Sequence, residues 1–409
     1  MSPNHDWKRM ATACSMILVL VTILGFGCGK KTEEGGKVTI AVGWMTDLTG
    51  PGGPALVSMQ NSLQDLVRYI NEEDPITGAE LKLVTYDTRY DPSRDLPGYD
   101  WCKERGAKLI MTPLPTTGET LKCFAGRDKT PIASLVFTTP QVEPPGWVFV
   151  HSNGYMTEAL LNFLSAQWPN YPTKPNIGFA STEEPYAVDI AKKLKEYCQA
   201  YPDRFELYLA RGPTTSSSGD MDKLKDCDYV IPPSGGITGA CFMRDFRARG
   251  YTATFTAFDN ITAFFRLVVD LCGWPALDGT LTAHASALWA NQPSPLVDLA
   301  WEILHKYRSA GYAKAVSHDP QGYIGGVQIY YFIFDILRKA IEAVGANSFD
   351  GQAYYDASLS YRVTMEGFPE CTFSETRRYL MEHVMVYRWS AMKEDLVRVS
   401  DWIPAGPIG

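Results

Sequence analysis

A repeated switch between two hydrophobic periodicities constrains this chain most. From Lys37 onward, short runs rich in β-branched residues alternate with longer runs whose apolar residues recur every three or four positions. Val38–Val42 predicts a strand, and 54–71 a helix with Leu56, Met59, Leu63, Leu66, Val67 and Ile70 on one face. Strand 81–86 follows, and then Asp91-Pro92, a helix start with Asp as cap and Pro at the first helical position. Strand 108–111, a short helix 118–124 and strand 132–136 complete the first series. After 147–150 a second series reads helix 155–167, strand 176–180, helix 186–200, strand 205–210, strand 228–231, helix 239–249, strand 254–258 and helix 261–271. Helices 296–308 and 323–344 come next, and 385–390 with 396–399 predict a two-stranded ribbon. This alternation specifies an α/β fold of two units, each a parallel sheet covered by helices. Ligands of such sheets bind beyond the carboxyl ends of the strands, so two facing sheets would enclose one.

The 409 residues are 45% hydrophobic and 21% charged, a globular balance that excludes a disordered or fibrous chain. The net charge of −8 opposes nucleic-acid binding, which needs a basic stripe. One stretch, Met10–Gly27 behind Lys8 and Arg9, is apolar enough to approach the roughly 20 residues that span a bilayer, and its order of charge, apolar core and small residues is that of an export signal. Cys102, Cys123, Cys198, Cys227, Cys241, Cys272 and Cys371 lack CxxC spacing, which opposes a zinc ribbon.

Signatures of catalysis are missing. The sequence has no GxxxxGK[ST] loop, HExxH, GxSxG elbow or EF-hand series, so no cofactor, no metal and no enzymatic role are expected. His151, His284, His305, His318 and His383 are scattered without metal-type spacing. Ser234 lacks a His–Asp arrangement in a strand–turn–helix context. Gly235-Gly236-Ile237-Thr238-Gly239 reads as a turn opening a helix.

Leu24-Gly25-Phe26-Gly27-Cys28 resembles the lipobox of a bacterial lipoprotein signal. The resemblance implies signal 1–27, a lipid on Cys28 that anchors the protein to the membrane, and a tether over 28–36. An uncleaved helical anchor and a simply cleaved leader are the other readings of the same run. All three place the mature chain outside the cytoplasm.

Asp47-Leu48-Thr49-Gly50-Pro51, then Asn71 and Gly78, then Tyr86-Asp87 and Asp91-Pro92, resemble the opening of type I periplasmic binding proteins of the branched-chain amino-acid (leucine-binding) class of ABC importers. The similarity continues through 108–117, 131–140, 177–186 and Gly322-Tyr323. It implies a two-lobed fold of two doubly wound sheets joined by a three-crossover hinge, with lobe one over 37–151 plus 286–375 and lobe two over 152–285 plus 376–409. It also implies capture of an amino acid or related small carboxylate and delivery to an ABC permease. Thr116 and Thr117 match the loop that holds the ligand carboxylate, and Thr138 and Thr139 the next strand end. Tyr186 matches an aromatic residue that closes over the ligand, and Asp259 an acid that pairs with its amino group. Helix-capping and turn roles remain open for the Thr pairs and for Asp259. The segment Gly43-Trp44-Met45-Thr46 adds residues before the first motif and sets Trp44 at the cleft mouth, as a stacking face, or under the first loop, as packing. A ligand-sensing ectodomain of the same fold is the alternative function. It expects a further membrane segment or signalling domain, and neither precedes Gly409.

Overall fold

The computed structural model describes residues 36–409, apart from Tyr171, 214–218, 234–235, 290–293, His318, Pro320 and 407–409. The apolar leader, Cys28, the tether up to residue 35, Ser234 and His318 therefore lie outside the described residues.

The first series folds as β1 (Val38–Thr46), α1 (Gly53–Glu72), β2 (Ala79–Asp87), α2 (Asp95–Glu104), β3 (Leu109–Thr112), α3 (Pro115–Asp128), β4 (Ile132–Ser134), α4 (Thr139–Val142) and β5 (Val148–Asn153). The second is α5 (Met156–Gln167), β6 (Asn176–Ser181), α6 (Pro185–Ala200), β7 (Glu206–Arg211), β8 (Tyr229–Ile231), α7 (Gly236–Ala248), β9 (Thr254–Phe258), α8 (Asp259–Thr262), α9 (Phe265–Cys272), α10 (Trp274–Leu277) and β10 (Leu281–His284). There follow α11 (Pro295–Tyr307), α12 (Ala310–Val316), α13 (Gly322–Val344), α14 (Gly351–Leu359), the short pair β11 (Arg362–Val363) and β12 (Cys371–Thr372), β13 (Tyr379–Met381), β14 (His383–Ser390), β15 (Asp395–Arg398) and β16 (Ile403–Pro404).

Two sheets result. The first runs β13-β5-β4-β3-β1-β2 and the second β15-β14-β10-β9-β8-β6-β7, so the five parallel strands opening each sheet follow one and the same doubly wound order. The chain passes to the second sheet after β5, returns after β10 and passes again between β13 and β14. These three crossings form the hinge between two lobes. Because β13 still pairs with β5, the last crossing falls at Glu382, beyond the expected 375/376 boundary. The expected terminal ribbon exists, but β14 also pairs with β10 and so extends the second sheet.

Local chemistry accounts for the elements of the first lobe. The apolar face of α1 is buried against α13, and Asn71 fastens the end of α1 to β2 through two hydrogen bonds of 2.9 Å with the backbone of Leu81. The Asp47 carboxylate accepts from the N–H groups of Gly50 and Gly52 at 2.5 and 2.7 Å, so the Asp-Leu-Thr-Gly-Pro motif builds the turn that starts α1. Asp91 accepts from the Ser93 N–H as expected, but a short 3-10 turn (Pro92–Arg94) precedes α2.

Two expectations change. Strand β1 does not stop at Val42: it is paired on both sides through Trp44, with Thr85 on β2 and Met111 on β3. Gly43 is a close approach, since a Cβ there would lie 2.5 Å from Ile110 Cδ1. Helix α3 begins at Pro115 instead of Gly118, because proline is pre-shaped for the first helical position. Thr116 and Thr117 are therefore helical.

Candidate ligand-binding cleft

The carboxyl ends of β4 and β9 face each other across the hinge and enclose a cavity of about 40 Å³, room for little more than water. Phe137 enters from the first lobe. Met156, Tyr186, Asp189, Lys193, Phe258 and Asp259 enter from the second. A solute the size of an amino acid fits only if the lobes part or the side chains move.

The second-lobe wall is acidic. Asp259 opens α8, directly after β9, and desolvation pushes its carboxyl up to about 7, a backbone hydrogen bond at Asn260 offsetting only part of that. It takes part in no ion pair among the described residues. Asp189 is likewise pushed up by burial, against the opposing pull of Lys193. Its carboxylate accepts from the Thr139 backbone N–H at 3.3 Å, a bond between the lobes. Lys193 is itself held by Glu158 in a buried ion pair of 3.2 Å, and its ammonium lies 4.1 Å from the Tyr155 ring centroid. Desolvation raises the Tyr186 hydroxyl far above its ordinary value, and Asp259, Asp189 and Tyr90 add to that. Two carboxylates thus line the cavity with one lysine that already has a partner.

A family model of periplasmic binding proteins matches residues 39–394. The chain belongs to the periplasmic binding protein family. Its fold is similar to that of a branched chain amino acid ABC transporter protein from Thermus thermophilus with bound valine, with a TM-score of 0.76 and 14% identity over 90% of this chain and 97% of that one. A fatty acid ABC transporter substrate-binding protein from Thermomonospora curvata is similar with a TM-score of 0.73 and 18% identity, over 91% of this chain and 95% of that one. A solute binding protein of an ABC transporter from Rhodopseudomonas palustris BisB5, in complex with 3,4-dihydroxy benzoic acid, gives 0.69 and 14% over 90% and 98%. No curated protein matches the sequence significantly.

Within this periplasmic binding protein, Tyr186 and Asp259 line one cavity, and the N–H of Thr139 reaches it through Asp189. The other expected residues behave differently. Thr117, fully buried, donates its hydroxyl to Asp95 at 2.7 Å, and burial pushes Asp95 up to about 6. Thr138 donates to Glu119 at 2.5 Å and accepts from Gln141 at 3.0 Å. These two hydroxyls serve the chain's own side chains. Thr116 is half-buried in the first turn of α3. Trp44 does not face the cleft: it is fully buried in the core, edge-on to Tyr330 of α13 at 5.7 Å, because the even positions of β1 point to the α1–α13 layer.

Sequence reasoning missed Asp189 and Lys193. Their signal was present, since Tyr186, Asp189, Ile190 and Lys193 fall at three- and four-residue spacing on α6 and so share one face. Phe137 was quoted within its motif but not assigned, and Tyr90, in the left-handed region at φ 57°, carries no sequence signal.

Proposed function

We propose that this periplasmic binding protein is the extracytoplasmic solute receptor of an ABC importer, and that it captures an amino acid or related amine-bearing solute between its lobes and hands it to a permease. The reading includes attachment to the membrane by a lipid on Cys28. It assigns the molecule to binding, not catalysis.

The observation that carries the ligand class is the pair Asp189 and Asp259. Both carboxyls are raised by desolvation, and both face one small cavity beside aromatic rings. A ligand ammonium enclosed there loses its water and needs an anionic partner, while the carboxylates regain a charge that stabilises their ionised form. The aromatic faces of Tyr186, Phe137 and Phe258 suit the same cation. A ligand carboxylate is served less well. The N–H of Thr139 is held by Asp189, and the hydroxyls of Thr117 and Thr138 by Asp95 and Glu119. The amine, by this reading, carries more of the recognition than the acid.

A melting-temperature screen of amino acids, their decarboxylated amines and their deaminated acids tests this, since a binder raises the midpoint by mass action. Aliphatic amino acids or amines should shift the midpoint, and aliphatic deaminated acids should not. Deaminated acids that bind as well as amino acids would remove the basis for the proposal.

A further inference from the structure

A second cavity, of about 510 Å³, lies beyond an aromatic wall from the inter-lobe cavity. Phe137 lines the first, and Tyr155 and Tyr379 line the second. The three ring centroids are 5.3, 5.6 and 5.5 Å apart, so one cluster separates the two spaces. Tyr155 stands at the first crossing of the hinge in a left-handed conformation, φ 55°, and Tyr379 and Glu382 stand at the third. Tyr155, at the start of the second lobe, thus joins a wall built by the first.

Its charges are unequal. Arg362, Arg377 and Arg378 face it together with Glu143 and Glu382. Both glutamates are answered within the protein. Glu143 accepts the Tyr155 hydroxyl at 2.8 Å, and Glu382 accepts the Tyr379 hydroxyl at 3.0 Å and pairs with Arg377 at 2.8 Å. The arginines are answered less completely. Arg378, 2% exposed, donates to the neutral oxygens of Gly146, Ser374 and Tyr355, and its nearest carboxylate, Glu375, is 4.0 Å away and exposed to water. Arg377 donates its Nη2 to the Thr372 carbonyl at 2.9 Å and pairs through Nη1 with Glu382, while its buried Nε has no hydrogen-bond partner among the described residues. Arg362 is exposed and meets Glu370 at 3.3 Å, outside the cavity wall. Among the lining residues three arginines therefore face two glutamates, with Glu370 and Glu375 outside the wall, and the remaining walls include Phe373 and Val142.

We propose that this hinge cavity is a second ligand site, separate from the cleft, and that it takes a small aromatic carboxylate whose ring packs on Phe373, Tyr155 and Tyr379 and whose anion meets Arg377 and Arg362. A hydrogen bond from a guanidinium to a carboxylate is strengthened by charge, and the unpartnered buried Nε of Arg377 gains from any acceptor that reaches it.

Titration calorimetry of the full chain with benzoate tests the proposal, with benzyl alcohol as the ring without charge and sulfate as charge without ring. Benzoate should bind saturably and more tightly than either control. Arg377→Gln should weaken it at least about tenfold, as loss of a charge-assisted contact does. Arg362→Gln, a change at an exposed side chain that leaves the fold intact, should weaken it severalfold. Asp259→Asn, in the cleft, should leave it unchanged. The proposal fails if benzoate does not saturate at millimolar concentration, if both arginine variants bind it like the wild type, or if Asp259→Asn alters its affinity.

Discussion

The backbone N–H of Thr139 donates to the Asp189 carboxylate at 3.3 Å, which joins the first lobe to the second across the cleft. The bond lies beside a cavity hardly larger than water. Asp189→Ala removes the acceptor. Hydrogen exchange at the Thr139 amide should then quicken by about tenfold or more, because opening of the lobes no longer breaks a hydrogen bond there. Unchanged protection would show that closure rests on other contacts.

Asp259→Asn keeps the shape of the side chain and removes its charge. Affinity for an amine-bearing ligand should fall by about 2–5 kcal/mol, the range for truncating one partner of a buried charge pair. Binding of the deaminated analogue should stay constant or improve. Calorimetry of both proteins with both ligands separates this from a role of Asp259 in starting α8, which would leave all the affinities alike.

Stability should also depend on pH through the same residue. Desolvation holds Asp259 at about 7 and Asp95 at about 6, both above the unfolded value near 4. A carboxyl raised in the folded state favours folding while protonated, so its contribution is lost as pH rises from about 4 to the raised value. Buried His151 and His284, pushed down to about 3 and about 4, oppose this, since their contribution is lost as pH falls below about 6.5. The wild-type profile mixes both trends, but the difference between Asp259→Asn and wild type isolates one. The melting-point advantage of the variant should grow between pH 4 and 7. A constant difference would place Asp259 in water.

Thr117→Val leaves the buried Asp95 carboxyl without the hydroxyl that donates to it at 2.7 Å. The cost should appear as about 1–3 kcal/mol of folding stability, the order for an unsatisfied buried polar group. Ligand affinity should hardly change. Chemical denaturation together with a binding isotherm tests both parts, and a stable variant with weakened binding would return Thr117 to the ligand site.

Cys28→Ser tests the attachment read from the leader. The variant should move from the membrane fraction to the soluble one. Continued membrane retention would favour the uncleaved helical anchor.

Short-range chemistry made much of this protein readable from its sequence. Apolar periodicity alone separates α1 and α13 from the strands between them, and Asp91-Pro92 marks a helical turn wherever the chain goes, because capping needs only neighbours. The paired sheets follow from the same local patterns, while Asp259 after β9 was marked by the resemblance to the family. The partners of the site residues were not readable. Thr117 meets Asp95 across 22 positions, Thr138 meets Glu119 across 19, and Thr139 meets Asp189 across 50. Each pairing depends on which helix comes to rest beside which strand end, and on how far the lobes close. Trp44 shows the same limit: its sequence surroundings suit a cleft mouth as well as a core, and only pairing of β1 on both sides turns the ring toward Tyr330. A hydroxyl or an indole carries its chemistry in the sequence, but the group that receives it is chosen by tertiary packing, because desolvation and hydrogen bonding act over ångströms in space and not over positions in the chain.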